Sequence, residues 1–229
     1  MTEVELAAQR QQRLAALLIG LPALLGLALI THHPIAHAAK GAVPLAGIKA
    51  VADANLAFHA VLMLLLVGQS VGLVLFGRTL GLHRPLVLAG LVFSGLAAVM
   101  LAIAMTFDGF VTHDLIAACG VSPQGCSAMA AESLRTVLAI ISAFSKIGFG
   151  AQCLGFAALS GAIWVPGQRG RLAASSGVVL ALAPIALMMM SADRMDPRVL
   201  LEVLAFLSAW GLCMAAVLAR GTLAGRLRT

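Results

Sequence analysis

The stretch PLVLAGLVFSGLAAVMLAIAMTF, residues 85–107, contains no charged side chain and is long enough to cross a lipid bilayer. A bilayer core of about 30 Å needs roughly 20 apolar residues, because each residue of an α-helix advances the chain by about 1.5 Å. With five further stretches of this kind, the apolar segments cover residues 14–30, 56–77, 85–107, 137–164, 172–191 and 199–218. None alternates between apolar and polar residues as a strand of a membrane β-barrel does. The sequence therefore predicts an all-α, polytopic membrane protein with six transmembrane helices in a single domain over residues 1–229.

The composition excludes the soluble classes of protein. Of the 229 residues, 61% are hydrophobic and 10% are charged, and the mean hydropathy is +1.03. A soluble domain is usually about 45–50% apolar and about 25% charged. The net charge of +6 does not indicate nucleic acid binding, because the basic residues lie between apolar stretches and form no basic stripe. The expected partners are therefore membrane lipids, with a second copy of the chain or another membrane subunit as further candidates, and no nucleic acid.

Lysine and arginine are distributed unequally between the two ends of the predicted helices. Nine fall on the end that contains both termini and five fall on the other end. The nine are Arg10, Arg13, Arg78, Arg84, Arg169, Arg171, Arg220, Arg226 and Arg228. Because short cytoplasmic loops are enriched in these residues, the count predicts three helical hairpins in a bacterial-type inner membrane, with both termini cytoplasmic. The long connections at residues 31–55 and 108–133 are then expected on the periplasmic side, and long loops are often functional.

Five of the six histidines map to the periplasmic side. His33 and His37 follow the first span, His59 lies in the first turns of the second, and His113 follows the third. Neutral imidazole is a good ligand for zinc and copper, and a carboxylate such as Asp108 completes many sites of this kind. We therefore expect these four histidines and Asp108 to form a metal site at the outer leaflet, with Asp108 as a ligand or as the general base for a metal-bound water. The alternative is that the histidines are scattered interfacial residues with no common site.

Lys146 lies about ten residues into the fourth span, where an unpaired ammonium group costs at least a few kcal/mol. An ion pair with Glu202, one or two turns into the sixth span, is the first expectation, and Asp108 is the second candidate. The alternative is that the lysine side chain extends along its apolar stem to the membrane surface.

Two cysteines, Cys119 and Cys126, flank a short segment with a proline and a glycine in the predicted periplasmic loop. The periplasm permits disulfide formation, so a disulfide between them is expected. Cys153 and Cys213 lie within spans and are expected to be small buried residues.

The segment GQSVG, residues 68–72, matches the Gly-x-Ser-x-Gly pattern of serine hydrolases. That pattern requires a strand–turn–helix context, which a transmembrane helix does not provide. Gly68 and Gly72 instead form a Gly-x-x-x-Gly motif, which allows two helices to approach closely. The segment AQCLG, residues 151–155, is similar. Two explanations stay open: duplicated hairpins, or chance, since such a pattern arises easily in helices rich in Gly and Ala.

Three functions are compatible with this pattern. The first is metal-dependent chemistry, hydrolytic or other, at a periplasm-facing site with zinc or copper. The second is a small-solute transporter or channel, with Lys146, Glu202, Gln69 and Gln152 along its path. The third is a non-catalytic accessory membrane subunit. Whether the protein is an enzyme does not follow from the sequence.

Overall fold

The computed structural model describes residues 3–32, 45–120, 128–164, 168–190 and 197–220, and this part of the chain is entirely helical apart from short turns. The elements are α1 (Glu3–Ile30), α2 (Leu45–Leu80), α3 (Pro85–Met105), a π-helical turn (Thr106–Val111), α4 (Thr112–Gly120), α5 (Ala128–Ala162), α6 (Gln168–Met190) and α7 (Pro197–Ala219). Within these described residues, six helices are long and apolar enough to cross a membrane, the third of them formed by α3 with its continuation to Ala118. The prediction of an all-helical protein with six potential membrane-spanning helices is therefore confirmed.

Two of the helices extend well beyond the predicted spans. Helix α2 begins at Leu45, and the π turn and α4 continue the helical path of α3 to Gly120. The expectation that residues 31–55 and 108–133 form loops is therefore wrong for much of their length. The physical reason is that these extensions hydrogen-bond to each other through polar side chains, so the backbone can stay helical beyond the apolar stretch.

The connection between α2 and α3 is a tight turn. Gly81 adopts a φ of +96°, a left-handed conformation that favours glycine, and its N–H donates to the Gly77 carbonyl. Pro85 then occupies the beginning of α3, where its missing N–H is not needed.

The six long helices contact one another around a ring. Helix α1 contacts α2, α2 contacts α3, α3 contacts α5, α5 contacts α6, α6 contacts α7, and α7 contacts α1. The outward sides of these helices carry large apolar side chains, among them Leu64, Val67, Leu88, Val92, Leu138, Leu172 and Val179. This surface is compatible with an integral membrane protein.

Glycines bring two pairs of helices into close contact. A Cβ added at Gly72 of α2 would lie 2.9 Å from the Leu18 Cβ of α1, and one at Gly155 of α5 would lie 2.5 Å from the Ser94 Oγ of α3. The packing interpretation of Gly72 is confirmed, while Gly68 makes only ordinary contacts. Ser70 donates to the Leu66 carbonyl within α2, so it does not stand on an exposed elbow.

Two stacked aromatic side chains join α5 to α7 in the interior of the bundle. Phe156 of α5 and Trp210 of α7 lie parallel, with ring centroids 3.6 Å apart, and the Trp210 indole donates to the Ser160 hydroxyl at 2.8 Å. Both rings are fully buried. Cys153 is buried as expected, but Cys213 is exposed on α7, so that expectation is wrong for Cys213.

Candidate functional site

The ring of helices surrounds a partly open cavity of about 190 Å³. Helices α1, α2, α3, α5 and α7 and the π turn line it, mostly with Leu, Ile, Ala, Met and Phe side chains. The polar side chains in the lining are His59, Gln69, Asp108, Ser145, Gln152 and Ser208. A mostly apolar cavity with a few polar groups is the usual form of a small-molecule binding site.

The cavity is elongated along the helices. Helix α5 contributes Ile141, Ser145, Phe149, Gln152 and Phe156, which follow one another at intervals of one helical turn. This stripe covers 15 residues of rise, or roughly 22 Å along the helix at about 1.5 Å per residue. Because the volume is small for this length, the cavity is a narrow slot.

His59 lies at one end of the slot and is only 4% exposed. Its Nδ1 lies 2.9 Å from the Asn55 carbonyl oxygen, one turn earlier in α2, and its Nε2 lies 3.3 Å from Oδ2 of Asp108. The Phe58 ring packs edge-on at a centroid distance of 5.4 Å. These contacts fix the orientation of the imidazole.

The contacts of His59 also define where its protons lie. The Asn55 carbonyl can only accept a hydrogen bond, so Nδ1 carries a hydrogen and donates it. In a neutral imidazole the other nitrogen, Nε2, then has no hydrogen. Nε2 lies 3.3 Å from Oδ2 of Asp108, so one proton held between the two atoms, on either of them, would satisfy both groups and give the pair a net charge of zero.

Asp108 is positioned by the π turn and by Asn55. The Asn55 amide donates to the Asp108 backbone carbonyl at 2.9 Å and to its Oδ1 at 3.3 Å. Within the turn, the Thr112 N–H reaches the Phe107 carbonyl five residues back, the bond that defines a π-helix. Single π-helical turns occur frequently at functional sites, because they redirect side chains that an α-helix would orient elsewhere.

Gly109 allows the π turn to reach His59. A Cβ at Gly109 would lie 2.6 Å from the His59 Cβ and 3.1 Å from its Cγ, closer than any side chain allows. Gly109 lies within the π-helical turn, where the absence of a side chain allows the close contact with His59.

His113 belongs to a different polar group. Its Nε2 lies 3.0 Å from Oδ1 of Asp53, and its Nδ1 lies 3.2 Å from Oδ1 of Asp114. The imidazole is partly exposed, with 23% of its side-chain surface accessible. These contacts link α4 to α2, and both ring nitrogens already face carboxylates.

The expected metal ligands therefore separate into two groups. The structure brings His59 and Asp108 together and places His113 with other acids. Within the part of the chain that is described, no group of three His, Cys, Asp or Glu side chains could hold a metal ion. His33 and His37 lie outside the described residues.

The other predicted features stay predictions. Lys146 is half-buried on α5 and Glu202 is exposed on α7, and their ion pair stays a prediction. The side chain of Cys119 and the whole of Cys126 lie outside the described residues, so their disulfide also stays a prediction.

Sequence reasoning missed Asn55 and Gly109. A signal for Asn55 existed, since an amide at the beginning of an apolar span needs hydrogen-bond partners. Gly109 had no such signal, because its role depends on a contact between two helices.

In comparisons with protein-family models, curated proteins and solved structures, no match to this chain was found.

Proposed function

We propose that this protein binds a small, uncharged, single-chain amphiphile in the cavity, with the polar head of the ligand at His59 and Asp108. The observation that supports the proposal is the contact of a buried His59 with a partly buried Asp108 at one end of a narrow, mostly apolar slot. The apolar lining suits a hydrocarbon tail, and the polar end suits a hydrogen-bonding head.

The charge of the His59–Asp108 pair determines which polar head group the ligand can have. We propose that His59 and Asp108 share one proton across their 3.3 Å contact, and such a pair has no net charge to balance an ammonium or a carboxylate head. Burying an unbalanced charge costs far more than burying a hydrogen-bonded neutral group. A hydroxyl both donates and accepts hydrogen bonds, so it matches a pair that presents a carboxyl oxygen and a shared proton.

The shape of the slot determines which hydrocarbon tail the ligand can have. A lining that extends over several helical turns with a volume of about 190 Å³ fits an extended chain better than a compact molecule. For comparison, a dry cavity of about 150 Å³ accommodates benzene. A fatty alcohol of medium length meets both requirements.

A photoreactive analogue of n-decanol, with a diazirine near the end of its tail, tests the proposal on purified protein in lipid nanodiscs. We expect light-induced labelling of cavity residues such as Leu204 and Phe149, competed by n-decanol and much less by n-decane. The double substitution His59→Phe with Asp108→Leu removes both polar partners at once, so neither is left buried and unpaired. It should abolish the competition by n-decanol.

The matched control is Ser176→Ala on α6, an exposed serine whose hydroxyl bonds only within its own helix, to the Ala173 carbonyl. This variant should label and compete like the unaltered protein. Labelling that spreads over the outer surface of the bundle, or that is equally strong in the double variant, would overturn the proposal.

Metal binding is a second candidate, with zinc or copper bound by His59 and Asp108 together with His33 or His37. The contact of Nδ1 with the Asn55 carbonyl is the usual support of a metal-bound histidine. The separation of 3.3 Å between Nε2 and Oδ2 is also that of two neighbouring ligands on one tetrahedral ion at about 2.1 Å.

Elemental analysis of the purified protein tests this candidate. We expect one zinc or copper per chain if it is right, with the metal lost in His59→Ala and retained in His113→Ala. A metal-free protein that still binds n-decanol would contradict the metal-binding hypothesis and support the amphiphile-binding hypothesis.

We further propose that the chain resides in a bacterial-type inner membrane as three helical hairpins with both termini in the cytoplasm. The support is the nine-to-five distribution of Lys and Arg. The His59 end of the cavity then lies towards the periplasmic leaflet, and an amphiphile would enter from there.

A further inference from the structure

The cavity has a second polar end that the His59–Asp108 pair does not account for. Gln152 of α5 lines the cavity and is only 4% exposed, and its side-chain Nε2 has no hydrogen-bond partner within the described part of the chain. A buried amide hydrogen without a partner destabilises the protein, because it loses its bond to water and gains no other. A ligand oxygen in the cavity would remove this cost.

The packing of α5 on α3 fixes the depth of Gln152. Gly155 packs beside the backbone of Ser94, and Gly148 packs beside the backbone of Leu101. Gln152 lies midway between these glycines on α5, which places it level with the residues near Ala97 on α3. Asp108 follows about 11 residues later on the same helical path, or roughly 16 Å at about 1.5 Å per residue.

Gln69 lies at the same depth on another helix. It follows His59 by ten residues on α2 and lines the same cavity. Ten residues of α-helix advance by roughly 15 Å, which agrees with the depth of Gln152. Two amides from different helices therefore meet the cavity far from the His59–Asp108 pair, and we call Gln69 and Gln152 the glutamine pole.

The two glutamines have the same position relative to a close-packing glycine. Gln69 lies three residues before Gly72, and Gln152 lies three residues before Gly155. Gly72 of α2 packs closely against α1, and Gly155 of α5 packs closely against α3. Both helices thus combine a close helix contact with a polar side chain on the cavity.

We propose that the ligand carries a second oxygen acceptor, about 15 Å from its hydroxyl head, which hydrogen-bonds to Gln152 at the glutamine pole. This inference rests on the proposed function and narrows it. It identifies the ligand class as extended chains with an oxygen at both ends, in place of simple fatty alcohols.

Competition between two probes tests the inference in the nanodisc assay. The probes are n-decanol, with one hydroxyl, and decane-1,10-diol, whose two hydroxyls span about the required length. Both are used to displace the same photoreactive n-decanol analogue. Because a neutral hydrogen bond contributes about 1 kcal/mol, the diol should compete roughly fivefold more strongly.

The variant Gln152→Leu should remove the advantage of the diol and leave competition by n-decanol unchanged or stronger. Gln12→Leu is the matched control, because Gln12 is also buried, at 2% exposed, and also has an orphaned amide atom, but lies on α1 away from the cavity. It should preserve the advantage of the diol. Thermal unfolding of each variant verifies that the fold is intact.

The outcomes separate this inference from the proposed function. If n-decanol competes but the diol is no better, the amide of Gln152 is satisfied by water and the second oxygen is refuted. If an advantage of the diol persists in Gln152→Leu, the glutamine is not its cause and the inference also fails. If neither probe competes, the proposed function fails with it.

Discussion

At the scale of single residues, the site depends on the absence of one side chain. Gly109→Ala would place a Cβ 2.6 Å from the His59 Cβ, so the π turn must move away and separate Asp108 from His59. We expect this variant to lose n-decanol competition as completely as the double variant of His59 and Asp108. We also expect its free energy of unfolding to fall by about 1–3 kcal/mol, the usual cost of overpacking.

Gly95→Ala is the control for this substitution. Gly95 lies on α3, and an added Cβ there would meet no heavy atom within 4 Å. Both the competition and the unfolding free energy should stay close to those of the unaltered protein. Normal competition in Gly109→Ala would show that the contact between the π turn and His59 is not needed for binding.

Residue types indicated part of this site before the structure did. His59 and Asp108 stand out because polar groups are rare in such an apolar chain, and the structure brings them to 3.3 Å. Their local support was not predictable, because the bonds from Asn55 to the π turn join residues 53 positions apart in the sequence. The same limit explains why His113, equally prominent in the sequence, lies with Asp53 and Asp114.

At the scale of helices, hydropathy predicted which segments form helices long and apolar enough to cross a membrane, but not where these helices begin and end. An apolar window ends where polar residues begin, whereas α2 continues through Asp53 and Asn55 because their side chains find partners on neighbouring elements. The π-helical turn is invisible to any periodicity argument. It depends on a hydrogen bond from Thr112 to Phe107 within an otherwise ordinary helical run.

Two glycines one turn apart on α2 make different demands, which allows a matched test of helix packing. Gly72→Ala places a Cβ against the Leu18 backbone and should lower the free energy of unfolding by about 1–3 kcal/mol. Gly68→Ala meets only the Pro22 ring at 3.9 Å and the Leu18 side chain at 4.0 Å, which are ordinary contacts, and should change stability little. Reversible unfolding in mixed micelles measures both. Equal stability of the two variants would contradict the close contact of α1 and α2 at Gly72.

At the scale of the whole molecule, the ring of helices and the cavity at its centre explain why polar groups persist in so apolar a chain. The polar residues of the lining are distributed over four different elements, yet they line one cavity. A hairpin on its own in a bilayer would expose them to lipid, where unsatisfied polar groups are costly. The ring therefore provides a place for hydrogen-bonding groups in a chain whose outer surface is apolar.

The orientation of the protein in the membrane determines from which side a ligand would enter the cavity. The end with both termini carries nine Lys and Arg against five on the other end, and the cytoplasmic side is the one enriched in these residues. We therefore expect a fluorescent protein fused after Thr229 to be fluorescent and alkaline phosphatase at the same position to be inactive. Alkaline phosphatase inserted near Gln124 should be active, because that segment follows α4 at the His59 end. Active phosphatase at Thr229 would contradict this orientation. It would show that the His59–Asp108 pair lies towards the cytoplasmic leaflet and that the amphiphile must enter from the cell interior.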